Sequence, residues 1–492
     1  EAIFGSYLVG LTLVVLLVMR ADALRDRCQL VSTRNFFLLG LLLFQTVSGA
    51  LTLLTLQTER GAWMGDYRFA GFAFCLILTT FLALFLVIYR SSDWIERVAW
   101  RRTRIRRASR GGLVAAGLAL TAIGVTLRFS GSGIPYVSVL LPQVSAGCLC
   151  GGAALVAMAW ARSIWNIVVG SVLGTVVAGS SAVLLVGAFG RREILGLLFS
   201  VVWGLYHERW RFLSVAWLLP RIGLATLALS AVLLVYSSSR VGGGSVDRSL
   251  GQQIERMLTI DPRAVEENIV AALSGQFAGG ISMLIFDNRW HSGGYDPLHS
   301  LVYFLTLPIP RDLWEGKPEG LGLIVVREAG LSGVSAEHTW GPGLVGHLAH
   351  DIVFIALPVY ALLLAWVFRY MDARTRWSEH DPVSIALFGS ALGQMVAMPR
   401  GDIGLFAFNL VAAFSGVWVF GRLVATVFLP VHHEAEWEAR TALLDAEHAE
   451  AAYEEEGDDG YEDDGDPVRP AHGHQLTDGG TPGSGPRAST ET

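Results

Sequence analysis

Apolar residues come in long, nearly unbroken runs along this chain, and the runs predict helices. They cover roughly 2–19, 35–56, 69–89, 111–128, 136–161, 165–190, 194–206, 212–236, 352–371, 383–399 and 403–429. Most approach the roughly 20 residues needed to cross a bilayer. The pattern predicts an all-α polytopic membrane protein with about eleven transmembrane helices. The seventh run is short, which a tilted or fused helix would accommodate. The first run leads into Arg20 rather than into a small-residue cleavage site, so no cleavable signal peptide is expected.

Residues 237–351 break this rhythm. A structureless loop of that length would be unusual, so the stretch predicts one large folded extracytoplasmic loop. Gln252 to Leu258 and Arg263 to Leu273 read as short surface helices. The glycine-rich apolar stretch from Ile269 to Phe286 reads as interfacial or re-entrant. Four regions result: an N-terminal transmembrane bundle (1–236), the loop domain (237–351), C-terminal transmembrane helices (352–430), and a tail (431–492). The tail carries seventeen acidic residues against three arginines, with Glu454-Glu455-Glu456 and Glu462-Asp463-Asp464. Such composition predicts disorder.

Composition agrees with the spans. Only 16% of residues are charged, against about 25% in soluble domains, and mean hydropathy is +0.47. Orientation follows from arginine in the short loops. Arg20, Arg25, Arg27 and Arg34 share one loop, and eight arginines lie between Arg90 and Arg110. The segment from His207 to Arg211 and the pair Arg374 and Arg376 fall on the same side, which is read as cytoplasmic. The tail is then cytoplasmic too. The four cysteines, Cys28, Cys75, Cys148 and Cys150, form no disulfide framework or zinc pattern. Nothing suggests nucleic-acid binding.

Ionisable groups beside membrane spans are expensive and mark candidate chemistry. Arg191 and Arg192 follow Gly190 at a helix end, and Arg400 follows Pro399 with Asp402 close by. Arg311 and Lys317, the only lysine, lie in the proline-bounded stretch from Leu307 to Pro318. Each set also fits a helix cap or a snorkelling charge. Together, on one face, they suggest an anion site, since guanidinium binds phosphate oxygens in pairs. The acid–base candidates are His291, His299, Glu337, His338, His347, His350 and Asp351. His347 and Asp351 are four apart and would share a helix face, letting a carboxylate orient an imidazole. His347 and His350 lack a third ligand, so no metal is expected. The chain has no P-loop, dinucleotide fingerprint or Gly-x-Ser-x-Gly elbow.

Gly190-Arg191-Arg192, the stretch Ile309-Pro310-Arg311-Asp312-Leu313-Trp314-Glu315-Gly316-Lys317-Pro318, the turn Gly343-Leu344-Val345-Gly346 and Arg400-Gly401 resemble the oligosaccharide repeat unit polymerases, also called O-antigen polymerases. The resemblance covers roughly residues 5–430, mostly by topology. Where such proteins often place Glu after the Leu-Val-Gly turn, this chain has His347. The resemblance implies a metal-independent, cofactor-free glycosyltransferase on the outer face of a bacterial inner membrane. It would polymerise glycans carried on undecaprenyl diphosphate, with a chain-length regulator as a candidate partner. Arg192, Arg311 and Arg400 would stabilise the diphosphate, with Arg191 and Lys317 as further contacts. His347 or Glu337 would take the acceptor proton, and Trp290, Tyr295, Trp314 and Trp340 would stack on sugars. The rivals are an O-antigen ligase and a non-catalytic lipid-glycan flippase or transporter.

Overall fold

In a computed structural model, residues 1–56, 64–101, 109–130, 135–185, 191–224 (except 215, 219 and 222), 278–292, 297–328 (except 310 and 312), 339–376 and 381–430 are described. Among these residues there is no strand. The helices are α1 (Ala2–Arg25), α2 (Thr33–Thr55), α3 (Tyr67–Ser91), α4 (Asp93–Arg101), α5 (Arg110–Phe129), α6 (Pro135–Trp160), α7 (Ile167–Leu185) and α8 (Arg191–Glu208). They continue as α9 (Ala278–Ser292), α10 (His299–Thr306), α11 (Leu321–Glu328), α12 (Gly343–His350), α13 (Val353–Arg376), α14 (Pro382–Gly389), α15 (Leu392–Ala397) and α16 (Ile403–Phe428).

Among the described residues, eight helices are long and apolar enough to cross a membrane: α1, α2, α3, α5, α6, α7, α13 and α16. The protein is an all-α, polytopic membrane protein. The other three expected spans have separate explanations. The 194–206 run is α8, whose first turn carries Arg191, Arg192 and Glu193. The 383–399 run is interrupted at Ser390 and Ala391, giving α14 and α15. The 212–236 run lies largely outside the described residues, as do the expected surface helices at 252–258 and 263–273 and the tail. Residues 1–433 form one unit by internal contacts, and residues 434–492 another. Helices α9, α10 and α12, drawn from the 237–351 stretch, therefore belong to the same body as the spans.

Local chemistry sets the helix ends. Asp66 accepts hydrogen bonds from the Arg68 and Phe69 amides at the start of α3, and Asp381 caps α14 ahead of Pro382. Asp402 caps α16 through the Leu405 amide at 3.3 Å. Inside the bundle, small residues let helices approach closely. A Cβ on Gly152 of α6 would lie 2.7 Å from the Gly117 carbonyl of α5. An aromatic cluster joins α2, α3 and α13, with Phe37 4.9 Å from Phe368 and 5.5 Å from Phe85.

At the end where α2 begins, charges are paired. Asp372 of α13 accepts from the Thr33 amide and hydroxyl, each at 2.7 Å, and from Tyr89 at 2.8 Å. The fully buried Arg34 meets Asp22 at 2.9 Å, and Arg369 meets Asp93 and Glu96. Arg374 meets Asp381, and Arg376 meets Asp26 and Glu96.

Candidate functional site

The candidate residues gather toward the opposite end. The geometry starts with Gln45, a buried polar residue in a π-helical stretch of α2, Leu42–Val47. Its amide donates to the Pro399 carbonyl at 2.6 Å, and its carbonyl accepts from Ser282 of α9 at 3.2 Å. The same Ser282 hydroxyl lies 2.7 Å from the Pro342 carbonyl and accepts the Gly346 amide at 3.1 Å. One knot thus ties α2, α9, α12 and the turn after α15. Gly343 has φ +67°, and a Cβ there would fall 1.9 Å from the Gln45 amide nitrogen. Only glycine satisfies both demands.

The knot fixes the turn from Pro399 to Asp402, and the arginines collect around it. The Arg400 guanidinium stands 5.8 Å from the centroid of Phe44, next to Gln45 in α2. The Arg192 guanidinium stands 4.7 Å from the centroid of Phe406, one turn into α16, and bonds Glu193 at 2.7 Å. Phe406 in turn covers Gly401. A Cβ on Gly320 would meet the Asp402 carboxylate at 3.0 Å and the Tyr303 hydroxyl at 3.2 Å, which places these two groups side by side. Burial and then Asp402 push the Tyr303 phenol up to about 12, while Arg311 pulls it down. Arg311, itself exposed, therefore shares the electrostatic field of this turn.

Lys317 folds back on its own loop, donating to the carbonyls of Leu307 (2.9 Å) and Ile309 (2.6 Å). Burial and then Arg311 hold its ammonium below the ordinary lysine value. The lysine closes the proline-bounded loop and presents Arg311 and the 39% exposed Trp314. Trp340 is different, being only 3% exposed with its indole nitrogen unpartnered. Arg191 is the first residue of α8 and Trp290 lies near the end of α9. Glu337, His338 and Tyr295 lie outside the described residues.

Beside the turn is a buried polar network. The His347 Nε2 accepts the Ile403 amide at 3.1 Å, so in the neutral ring Nδ1 carries the proton and donates to Ser300 Oγ at 2.5 Å. Burial holds this imidazole below its ordinary value, although Asp402 and Asp351 oppose that. His350 is also buried. Its Nδ1 faces Asp351 at 3.0 Å, and its Nε2 has no hydrogen-bond partner among the described residues. Burial alone would raise the Asp351 carboxyl, but His350, His347, Tyr360 and Ser300 together hold it below the usual range. The expected i,i+4 partnership of His347 and Asp351 is thus replaced by a direct bond from Asp351 to its neighbour His350. Among the described residues, no group of three or more His, Cys, Asp or Glu is placed to hold a metal.

The sequence reading did not single out Gln45, Ser282, Ser300, Tyr303 or Tyr360. A polar amide inside an apolar run was the one available signal for Gln45. The others are ordinary helix residues whose partners lie far away in sequence. Comparison with models of protein families, with characterised proteins and with solved structures gives no match to this chain.

Proposed function

We propose that the protein is a glycosyltransferase that joins oligosaccharide repeat units carried on undecaprenyl diphosphate, at the extracytoplasmic face of a bacterial inner membrane. The observation that supports this reading is the gathering of Arg192, Arg400 and the Arg311 loop around one turn, Pro399 to Phe406. A lipid diphosphate leaving group develops negative charge, and fixed guanidinium groups stabilise it in a site shielded from water. In the proposed step, an acceptor hydroxyl oxygen bonds to the donor's anomeric carbon. The bond from that carbon to the diphosphate oxygen breaks, and the lipid diphosphate departs with the electron pair.

The acceptor proton needs a base. His347 has both ring nitrogens engaged by protein and Glu337 lies outside the described residues, so the base proposed is His350, oriented by Asp351 and with Nε2 unbonded among the described residues. His350 is closed to solvent, so the acceptor reaches it only when the chain around it rearranges.

Purified protein incubated with lipid-linked repeat units alone is expected to yield a ladder of longer glycans. Substituting Arg311→Ala should remove the ladder while the protein level holds. A product transferred once to a different acceptor would mark a ligase instead. Movement of labelled lipid across vesicles without new glycosidic bonds would mark a transporter.

A further inference from the structure

Helix α10 has two unlike faces. Ser300 and Thr306 are buried, and Tyr303 turns toward Asp402. The other face carries Val302 and Leu305, 40% and 63% exposed, and Ile309 just past the helix end is 38% exposed. Val302 and Leu305, three apart, share one side of the helix. The exposed apolar surface continues into the loop with Leu313, 77% exposed, and Trp314.

Depth decides what this surface meets. Gln45 bonds the Pro399 carbonyl, twelve residues into α2 and ten before its end. At 1.5 Å per residue, Pro399 is about 18 Å from one end of a spanning helix and about 15 Å from the other. Helix α16 then runs back toward the end where α2 begins, and α10 packs on its second residue. A Cβ on Gly404 would touch Tyr303 at 2.8 Å and the Ser300 carbonyl at 3.0 Å. Helix α10 therefore lies alongside the membrane-crossing part of the bundle. The residue types of its outer face and the loop after it suit that position: exposed aliphatic side chains, with an exposed arginine at 311 and a tryptophan at 314, of the kinds found at the headgroup boundary.

We propose that the outer face of α10 and the following loop are a bilayer-contact surface, with Leu305 and Leu313 against acyl chains and Trp314 at the headgroup boundary. The contact forms a side wall between the bilayer and the arginine-lined turn. It stands whether or not the chain transfers glycosyl groups.

The test uses Leu305→Cys and Leu313→Cys, made singly in the full chain with Cys28→Ser, since the other three cysteines are buried. Each is labelled with bimane and reconstituted into vesicles of phosphatidylethanolamine and phosphatidylglycerol. Nitroxide-bearing lipids are expected to reduce emission at least two-fold, and aqueous iodide to change it little. Quenching by iodide instead would place the surface in water and overturn the proposal. Protection from both quenchers would also overturn it, because another part of the chain or a second copy would then cover the surface. An independent measurement needs no label: with brominated lipids, Trp314→Phe should lower the quenchable share of tryptophan emission. No change in that share would count against the surface.

Discussion

The two ends of the helix bundle use arginine differently. Where α2 begins, guanidinium groups meet carboxylates: Arg34 with Asp22, Arg369 with Asp93 and Glu96, Arg374 with Asp381, Arg376 with Asp26. Toward the other end, Asp402 caps a helix, Asp351 binds His350, Tyr360 and the Ser300 amide, and Asp287 binds the amides of Gly65 and Asp66. There Arg192 pairs with its neighbour Glu193 and lies over Phe406, Arg400 lies over Phe44, and Arg311 is exposed. An aromatic face holds a guanidinium without neutralising its charge. At one end the ion pairs tie separate elements together, while at the other the Arg192 pair stays within one turn of α8, and Arg192 and Arg400 flank the turn from Pro399 to Phe406.

The largest expected effect breaks the end where α2 begins. Asp372→Ala leaves Tyr89 and the start of α2 without their shared acceptor. Leaving a buried donor unsatisfied costs about 1–3 kcal/mol, and Asp372 serves several. The variant should show sharply reduced folded yield on size-exclusion chromatography, and near-normal yield would mean the network carries little.

Next come the arginines of the other end. Arg192→Ala and Arg400→Ala should each lower glycan elongation by about 10²–10³-fold, and Arg192→Ala should also lower the melting temperature because it takes this ion pair from the buried Glu193. Arg376→Ala, at the end where α2 begins, should leave elongation intact. Equal losses from all three would erase the contrast between the ends.

Gly343→Ala tests the knot that holds the turn. The left-handed backbone alone costs about 1–2 kcal/mol for a residue with a Cβ, and the Gln45 amide must also move. Thermal denaturation should show the loss, and pairing with Gln45→Ala should recover part of it by opening space.

The smallest effect is a pH dependence. Burial holds His347 below its ordinary value in the fold. Unfolded, it takes up a proton below about pH 6.5. Between those two values the unfolded state binds more protons, so stability falls as pH drops. Melting temperatures at pH 7.5 and 5.5 should differ less in His347→Asn than in the parent, and an unchanged difference would assign the dependence to other groups.

Much of the architecture was legible in the chain. Runs of apolar residues near bilayer length announce their helices regardless of neighbours, because an isolated span already satisfies its backbone hydrogen bonds. The arginines at the start of α8 and in the loop around Arg311 could be read the same way, while the acidic tail lies outside the described residues. What the tertiary structure alone decided is who faces whom. Gln45, Ser282 and Pro399 are separated by more than a hundred residues at each step, and they meet only because α2, α9 and α15 pack together. The same packing occupied both nitrogens of His347, left His350 with one unbonded among the described residues, and turned Lys317 inward onto its own loop. Periodicity fixes which residues lie on a helix face, but hydrogen bonds between helices depend on register and approach within a few tenths of an ångström. That information resides in the assembled bundle and not in any local stretch of sequence.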